Sequence, residues 1–293
     1  MASNLLTHSD LGMDYIKPVD VAKNMVETAA AKAALSVKDL LIRGFLSGAL
    51  LGFATSLALA GSKQTGVPLV GALIFPVGFV LIVLLGLELV TGNFALLPVG
   101  VQAGRVSASQ LLSNFFWVYG GNLIGSLFYG FLLALTLKYN GTAAQNTITP
   151  LITAAAEAKT IGYSHLGAVG LLVCFIKAIL CNWMVCLAVV AAMTSNSTIG
   201  KSVAAAIPIF IFFALGYEHS VVNMFLIPTG MMLGAKVSIA EWWLANQIPV
   251  TIGNFLAGWL LIGLPMFLTY GKQATETERR SSADMPEKAE VPA

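Results

Sequence analysis

Two stretches far apart in the chain carry the same polar residues inside long apolar runs. GLELVTGNFALLPVG covers residues 86–100, and GYEHSVVNMFLIPTG covers residues 216–230. Gly, Glu, Asn, Leu, Pro and Gly recur in both stretches in the same order and at the same spacing. Carboxylates and amides are costly in lipid unless they line a polar path or are buried in protein. A matched pair of interrupted apolar segments therefore indicates a transport site between two halves of the chain.

One histidine lies deep in an apolar run and beside the second interruption. His219 follows Glu218, whereas His8 lies in a polar stretch and His165 at the rim of a predicted span. Imidazole is the side chain that changes charge most readily near neutral pH, so His219 could donate a hydrogen bond to an anion or supply a proton to it. Thr91, in the first interruption, could face His219 or could instead bond its own helix backbone.

Four ionisable side chains occupy matching positions near the interruptions. Arg43 opens the run RGFLSGALLGFA, and Lys177 opens the parallel run KAILCNWMVCLA. Because an unpaired charge in lipid costs ~2.5 kcal/mol or more, the repeat predicts the pairs Arg43–Glu88 and Lys177–Glu218. These pairs could be internal clasps that hold each interrupted loop, or their cations could draw anions towards a pore from each side.

Amide and large apolar side chains flank the same centre. Asn93, Asn182 and Asn223 could satisfy backbone groups freed at the interruptions or could line a path, and the backbone role is favoured. Large apolar groups beside a polar site can form constrictions that exclude water and ions, although aromatic side chains of membrane helices often simply face lipid. The candidate constriction residues are Phe75, Phe79, Leu89 and Phe212.

The composition is typical of a membrane protein. Of the 293 residues, 57% are hydrophobic and 10% charged, and the mean hydropathy is +0.82, whereas soluble domains carry about 25% charged residues. The net charge of +2 gives no reason to expect a nucleic-acid partner, and the polar, acidic start predicts no cleaved signal peptide. Cys174, Cys181 and Cys186 lack the spacing of a zinc site, so we expect packing residues and no cofactor.

Six membrane spans are predicted in an all-α fold, because a spanning helix needs about 20 apolar residues. The second and fifth spans are interrupted, and a short apolar half-helix follows each, over 93–102 and 223–233. Two sets of three spans predict an inverted repeat, since an odd number places the second half upside down in the membrane. The six spans cover approximately 42–61, 69–88, 108–137, 165–194, 203–217 and 248–270.

The basic residues predict that both termini face the cytoplasm. Eleven Lys and Arg residues fall on the side of the termini and four on the other side. Residues 1–40 are expected to form a cytoplasmic segment, with an amphipathic helix over 18–39 that lies either in solvent or at the membrane interface. Residues 41–271 are expected to form the transport domain, and residues 272–293 a disordered cytoplasmic tail.

The sequence resembles the formate/nitrite transporter family over about residues 15–270. The resemblance rests on ELVTGN at 88–93, CNWMVCLA at 181–188, GYEHSVVNMF at 216–225 and IPVTIGN at 248–254. It implies six spans in an aquaporin-like protomer, five protomers in a ring, and a separate pore in each protomer. It also implies small monovalent anions as substrates, such as formate, nitrite, hydrosulfide, lactate, acetate or bicarbonate, often moved with a proton.

The resemblance also assigns roles to residues. His219 matches a pore histidine that lies between two apolar constrictions, Thr91 matches the loop threonine, and Asn223 the paired asparagine. The Cys-Asn-Trp at 181–183, which includes Asn182, is similar to nitrite-type members, so formate and nitrite both remain open as the substrate. The matched constriction positions are Phe75, Phe79, Leu89 and Phe212, and Val90 stands where formate channels often have a larger aromatic residue.

Three other classes of protein fit the residues less well. A neutral-solute channel of the aquaporin type would normally show two Asn-Pro-Ala motifs, and none occurs in the sequence. A membrane-embedded enzyme would need a nucleophile with a base, or several metal ligands. A receptor would have no obvious use for a duplicated polar interruption. We therefore expect a transporter in the cell (inner) membrane, in which an anion at His219 either takes a proton or is held by imidazolium and Thr91.

Overall fold

The computed structural model describes residues 14–139 and 148–271. These residues are almost entirely helical, and the one strand-like pairing within them is an isolated bridge between Tyr15 and Ser195. The predicted tail at 272–293 and the first part of the predicted segment at 1–40 lie outside the described residues.

The helices follow one another in a chain of long and short elements. The first half contains α1 (Pro18–Ala33), α2 (Val37–Thr65), α3 (Pro68–Ile74), α4 (Pro76–Leu84), α5 (Val90–Gln102) and α6 (Ala108–Lys138). The second half contains α7 (Thr149–Lys159), α8 (Ile161–Ser164), α9 (Gly167–Ala192), α10 (Thr198–Ala214), α11 (Ser220–Met232) and α12 (Ile239–Gly271).

Four of these helices are long and apolar enough to cross a membrane. They are α2, α6, α9 and α12, and they contain almost all of the first, third, fourth and sixth predicted spans. The second and fifth predicted spans correspond to shorter apolar helices, Pro68–Leu84 and Thr198–Ala214. A fully helical segment suits this environment because the helix satisfies its own backbone groups where water is absent.

A glycine in the left-handed region ends the helix before each of the two polar stretches. Gly86 has φ 60° and Gly216 has φ 64°, a conformation that glycine adopts without the steric cost borne by other residues. The N–H of the following residue donates to the carbonyl five residues earlier, from Leu87 to Ile82 and from Tyr217 to Phe212. This Schellman arrangement satisfies helix-end carbonyls and sends the chain into a short non-helical segment.

α6 and α12 begin with the same capping box. The Ser107 hydroxyl accepts from the Gln110 N–H, and the Gln110 side chain accepts from the Ser107 N–H. Ser238 and Glu241 make the same two bonds at the start of α12. A capping box satisfies two N–H groups that have no partner within the helix, so both helices have a well-defined start.

α12 contains a π-helical turn that α6 lacks. Asn114 lies seven residues after the Ser107 cap, whereas Asn246 lies eight residues after the Ser238 cap. The additional residue is taken up in the π-helical turn Trp242–Gln247, because such a turn holds one more residue than an α-helical turn. Asn114 and Asn246 can therefore take equivalent positions despite the unequal spacing.

α1 packs on α5 through one apolar stripe. Val21, Ala22, Met25 and Ala29 are buried, and a Cβ added at Gly100 would lie 2.7 Å from the Ala29 Cβ. The stripe is therefore covered by protein rather than by solvent or lipid. The helix is shorter than the predicted 18–39, because the Ser36 hydroxyl accepts from the Asp39 N–H and caps a new helix, α2.

The chain before α1 is tied to the turn between α9 and α10. One carboxylate oxygen of Asp14 accepts from the Ser195 hydroxyl at 2.8 Å and from the N–H groups of Asn196 and Ser197 at 2.8 and 2.7 Å. These donors, with the Ser195 hydroxyl the largest influence, hold the pKa of Asp14 below its usual 3.8. The bonds to the Asp14 carboxylate therefore stabilise the fold fully at a pH above 3.8. They weaken only as the pH falls through the lowered pKa of Asp14.

Candidate functional site

The two polar stretches meet at a single side-chain hydrogen bond. Thr91 Oγ1 and His219 Nε2 lie 3.0 Å apart, although 128 residues separate them in the chain. Both side chains are buried, with Thr91 0% and His219 2% exposed. Thr91 belongs to the first turn of α5, and His219 is the N-cap residue of α11. The non-helical segments thus bring the helix starts of the two halves together.

The bonds of His219 fix which ring nitrogen carries the proton. Nδ1 accepts the Val222 N–H at 3.1 Å, so Nδ1 holds no hydrogen while it caps α11. A neutral imidazole has its one hydrogen on the other nitrogen, and Nε2 therefore donates to the Thr91 hydroxyl. A doubly protonated ring would place an Nδ1–H against the Val222 N–H, so an imidazolium would require the loss of this cap.

The backbone carbonyl of Thr91 is held by α9. Asn182 Nδ2 donates to this carbonyl at 3.1 Å and to the Asn254 carbonyl at 2.6 Å. The Cys186 thiol donates to the Thr91 carbonyl at 3.2 Å. Asn182 therefore serves the backbone, as its sequence position suggested, while its buried Oδ1 has no protein partner among the described residues.

Apolar side chains surround the His219–Thr91 pair. The Phe212 ring stacks on the imidazole, with centroids 5.7 Å apart and planes inclined by 20°, and the Phe75 ring meets Phe212 edge-on at 5.7 Å. All five candidate constriction residues are buried in one hydrophobic cluster: Phe75, Phe79, Leu89, Val90 and Phe212. The polar pair thus lies beside a continuous apolar surface.

Each glutamate of the repeat forms an ion pair with a lysine. Lys32 Nζ lies 2.7 Å from Glu88 Oε1, and Lys159 Nζ lies 2.9 Å from Glu218 Oε2. Both carboxylate side chains are 2% exposed and both lysines about a fifth exposed. A carboxylate buried to this degree requires a cation and hydrogen-bond donors to compensate its lost hydration.

The predicted pairs Arg43–Glu88 and Lys177–Glu218 are wrong. α1 and α7 end beside the carboxylates and supply the cations from Lys32 and Lys159. Within the described ranges, neither Arg43 nor Lys177 forms an ion pair. The ammonium group of Lys177 lies 6.0 Å from the centroid of the Tyr163 ring. The matching positions of Arg43 and Lys177 reflect the repeat, but each residue is too far from its glutamate to pair with it.

Asparagines reproduce the same bonds around both ion pairs. Asn93 Nδ2 donates to Glu88 Oε2 at 2.8 Å and to Asn114 Oδ1 at 2.9 Å. Asn223 Nδ2 donates to Glu218 at 2.8 Å and to Asn246 Oδ1 at 2.8 Å. Asn223, which the sequence suggested would satisfy backbone, therefore bonds side chains instead. The buried Asn223 Oδ1 has no protein partner in the described part of the chain.

A second pair of asparagines holds the backbone at the start of α5 and α11. Asn122 Oδ1 accepts the Val90 N–H at 3.0 Å, and its Nδ2 donates to the Glu88 carbonyl at 2.9 Å. Asn254 does the same for Ser220 and Glu218, at 2.9 and 3.0 Å. These residues therefore satisfy backbone groups that the non-helical segments leave without a helical partner.

Sequence reasoning missed several of these residues. Asn122 and Asn254 lie inside the matched runs GNLIG and GNFLAG, and that match could have indicated a shared role. Lys32 and Lys159 gave no comparable signal, because one lies in a predicted surface helix and the other in a helix, α7, that was not predicted. The ion pairs that these two lysines form depend on how α1 and α7 pack, which the sequence did not indicate.

A cavity of about 230 Å³, here called the inner chamber, opens beside the Glu88 ion pair. Its lining is mostly apolar and includes the candidate constriction residues Phe79 and Leu89. Thr28, Lys32, Asn93 and Lys201 contribute polar side chains to it. An anion in the inner chamber would therefore meet lysine charge at one side and apolar side chains at the other.

Comparison with known proteins identifies the type of protein. The family model described as formate/nitrite transporter matches residues 19–268. The chain is 34% identical over 280 residues to a "Probable formate transporter" of Methanothermobacter thermautotrophicus, covering 90% of this chain and 100% of that protein. It is 32% identical over 287 residues to "Formate channel FocA" of Escherichia coli strain K12, covering 89% of this chain and 97% of that protein.

Solved structures of similar fold agree with this result. An "FNT family ion channel" superimposes with a TM-score of 0.72 at 28% identity, covering 85% of this chain and 98% of that chain. A "Pentameric formate channel with formate bound" gives a TM-score of 0.65 at 25% identity, covering 83% and 98%. With its apolar helices and its matched polar stretches, the chain belongs to the formate/nitrite transporter family, a family of integral membrane transporters and channels.

Proposed function

We propose that this chain carries formate, with nitrite as the alternative substrate, across the membrane along a path that passes the His219–Thr91 pair. The observation that carries the proposal is the 3.0 Å contact between these side chains, which joins the two polar stretches inside an apolar cluster. Four similar proteins are named as formate channels or transporters, which supports the substrate class.

We infer that the two halves form an inverted repeat around this path. Support comes from the matched ion pairs, asparagine bonds and capping boxes, each of which occurs once per half. On this arrangement the second and fifth spans are interrupted helices, α4 with α5 and α10 with α11. The helix starts of α5 and α11, whose partial positive charge favours anions, would then point towards each other near the membrane midplane.

The inner chamber provides the first step of the mechanism. The Lys32 ammonium group lines it and attracts anions, although its charge is partly compensated by Glu88. The side chains of Leu89 and Phe79, which also line the inner chamber, offer no hydrogen bonds. Removal of water from a bare anion costs much free energy. A carboxylate or nitrite that has taken up a proton loses this penalty and passes the apolar residues more easily.

The His219–Thr91 pair provides the second step. His219 donates to Thr91, and this bond polarises the Thr91 hydroxyl and strengthens it as a donor. The hydroxyl hydrogen is then available to an oxygen of the substrate. Because the pair is neutral in this arrangement, it gives the neutral acid a hydrogen bond but gives a bare anion no counter-charge. Transport is therefore linked to a proton, and uptake should rise with acidity.

The remaining features of the proposal follow the family. We propose a homopentamer in the cell (inner) membrane, surrounded by lipid, with both termini in the cytoplasm and a pore in each protomer. One solved relative is described as a pentamer with formate bound, which supports the assembly. The excess of basic residues on the side of the termini supports the orientation.

Uptake by reconstituted liposomes tests the proposal. Formate and nitrite uptake would be measured at mildly acidic and mildly alkaline pH, with and without an imposed voltage. Uptake that rises with acidity and ignores voltage is expected. Uptake that follows voltage would contradict the proton link and make the protein an anion channel. Uptake of neither anion would overturn the substrate, and bicarbonate, hydrosulfide, other small carboxylates and glycerol would then be compared.

Two variants separate the chemistry of His219 from its structural role. Asparagine is a good N-cap residue, so His219→Asn can keep the bond from the Val222 N–H, whereas His219→Phe loses both the cap and the donor. Both variants should reduce formate uptake about tenfold at every pH, because each removes the donor to the Thr91 hydroxyl. If the pentameric His219→Asn variant keeps wild-type uptake, the donor role of His219 is wrong, and a loss in His219→Phe alone would assign His219 only the capping of α11.

A further inference from the structure

A second cavity adjoins the inner chamber. This outer chamber has a volume of about 250 Å³ and shares Thr28, Met193 and Lys201 with the inner chamber. Its lining is more polar, since Asn24, Glu27 and Asn196 also contribute to it. An anion that moves from the outer to the inner chamber therefore passes Lys201.

Lys201 differs from Lys32 in having no carboxylate within ion-pair distance among the described residues. Lys32 Nζ lies 2.7 Å from a carboxylate, whereas Lys201 forms no ion pair within residues 14–139 and 148–271. Lys201 also lies in the first turn of α10, where the Asp14 carboxylate bonds the N–H groups of Asn196 and Ser197 and offsets part of the helix dipole. The carboxylate that shares the outer chamber is Glu27, which is exposed to solvent and is not paired with Lys201.

We propose that the outer chamber is a binding station for the transported anion, with Lys201 as its cation and the Thr28 hydroxyl and Asn24 amide as hydrogen-bond donors. The proposal rests on the proposed transport function and names residues of the same path. The ligand class is a small monovalent carboxylate or oxyanion. The volume has room for such an anion and several waters, so the anion is captured while still partly hydrated.

Glu27 lowers the affinity of the outer chamber for an anion, whereas Lys201 raises it. Its negative charge lies in the same chamber and lowers the potential that Lys201 creates. The two residues therefore predict effects of opposite sign: removal of the Lys201 charge weakens capture, and removal of the Glu27 charge strengthens it. A purely structural role for either residue would not produce this pattern.

The test measures formate uptake by the full-length protein in liposomes, at formate concentrations well below saturation and at constant pH. Lys201→Gln should lower the rate about threefold and Glu27→Gln should raise it about threefold, a smaller effect than the roughly 10- to 1,000-fold gain of full electrostatic steering. The double variant should return close to the wild-type rate. All differences should shrink at about 1 M ionic strength, where the screening length is ~3 Å.

Lys38→Gln is the matched control, because Lys38 is exposed on α2 and lines neither chamber. It removes the same charge and should leave the rate unchanged. Equal effects of Lys38→Gln and Lys201→Gln, changes of the same sign at Lys201 and Glu27, or differences that persist at high salt would each overturn the station. Absence of formate and nitrite uptake by the wild-type protein would instead overturn the transport function itself.

Discussion

The Glu88 segment (88–93) and the Glu218 segment (218–223) share the residues at their two ends and differ at the residues between them. In both, the glutamate accepts from a lysine and an asparagine, and a second asparagine holds the backbone at the start of the next helix. The residue after each glutamate differs, Leu89 in one and His219 in the other. Two residues further on, Thr91 corresponds to Val221.

All four positions between the matched Glu and Asn differ, and two of these residues meet. His219 bonds to Thr91, while their counterparts, Leu89 and Val221, are buried apolar residues. Matched residues therefore build the scaffold of each segment, and unmatched residues supply one polar pair where two halves meet. If the two segments were identical, each would present the same side chains at these positions. Their meeting point would then not combine a histidine from one segment with a threonine from the other.

The largest effect is expected from exchanging the unmatched residues. His219→Leu combined with Leu89→His should abolish formate uptake, because the new histidine would face Val221, which has no hydroxyl. Adding Thr91→Val and Val221→Thr rebuilds the pair in the opposite orientation and should restore part of the uptake. Liposome uptake at acidic pH checks this. Uptake retained by the two-residue exchange would show that the contact between histidine and threonine is dispensable.

The two ion pairs should differ in how much stability they provide. Glu218 accepts from the Tyr163 hydroxyl at 2.8 Å and from Asn246 at 3.3 Å, in addition to Lys159 and Asn223. Glu218→Gln should therefore cost about 3 kcal/mol, since a partly buried lysine loses its counter-ion and the donors must share one remaining oxygen.

Glu88→Gln is the matched variant, and it should cost less, because Glu88 accepts from Lys32 and Asn93 and has no donor corresponding to Tyr163 among the described residues. Thermal unfolding of both purified variants in detergent measures the difference. A larger loss for Glu88→Gln would contradict the inequality of the two pairs.

Gly48 and Asn182 occupy matching places in α2 and α9 and predict different sensitivities. A Cβ at Gly48 would collide with the Asn122 carbonyl oxygen, so Gly48→Ala must push α2 and α6 apart. We expect a loss of about 2–3 kcal/mol. Asn182→Ala leaves two carbonyls without one donor and should cost about 1–2 kcal/mol, which chemical unfolding can distinguish. Equal losses would contradict the tighter packing of the first half.

The smallest effect is expected from removing the additional residue of α12. Leu244 is exposed and lies in the π-helical turn, and its deletion would give Ser238 and Asn246 the spacing found between Ser107 and Asn114. Residues 239–257 can then form a regular α-helix, although π-helical segments remain at Gly258–Gly263 and Phe267–Gly271, and we expect a change in stability of about 1 kcal/mol or less. A loss of folded protein would show that the π-helical turn itself is needed.

The sequence predicted the parts of the molecule that depend on local pattern. Apolar length predicted where the long helices lie, and glycine with a repeated Glu and Asn predicted the two polar stretches. A contact between Thr91 and His219 was one of two alternatives that the sequence left open, the other being a bond from Thr91 to its own helix backbone. Ion-pair partners depend instead on tertiary packing, so spacing along the chain led to Arg43 and Lys177 rather than to Lys32 and Lys159. The π-helical turn was equally hidden, because one additional residue leaves the apolar pattern almost unchanged.

The ion pairs also bear on how the protein is made. Lys32 and Glu88 are 56 residues apart, Lys159 and Glu218 59 residues, and neither pair crosses between the halves. Each half can therefore neutralise its own buried carboxylate during synthesis, soon after the glutamate has been added to the chain. The bond between Thr91 and His219 spans 128 residues and must wait for the second half. We expect each half to form its own ion pair before the bond between His219 and Thr91 joins the two halves.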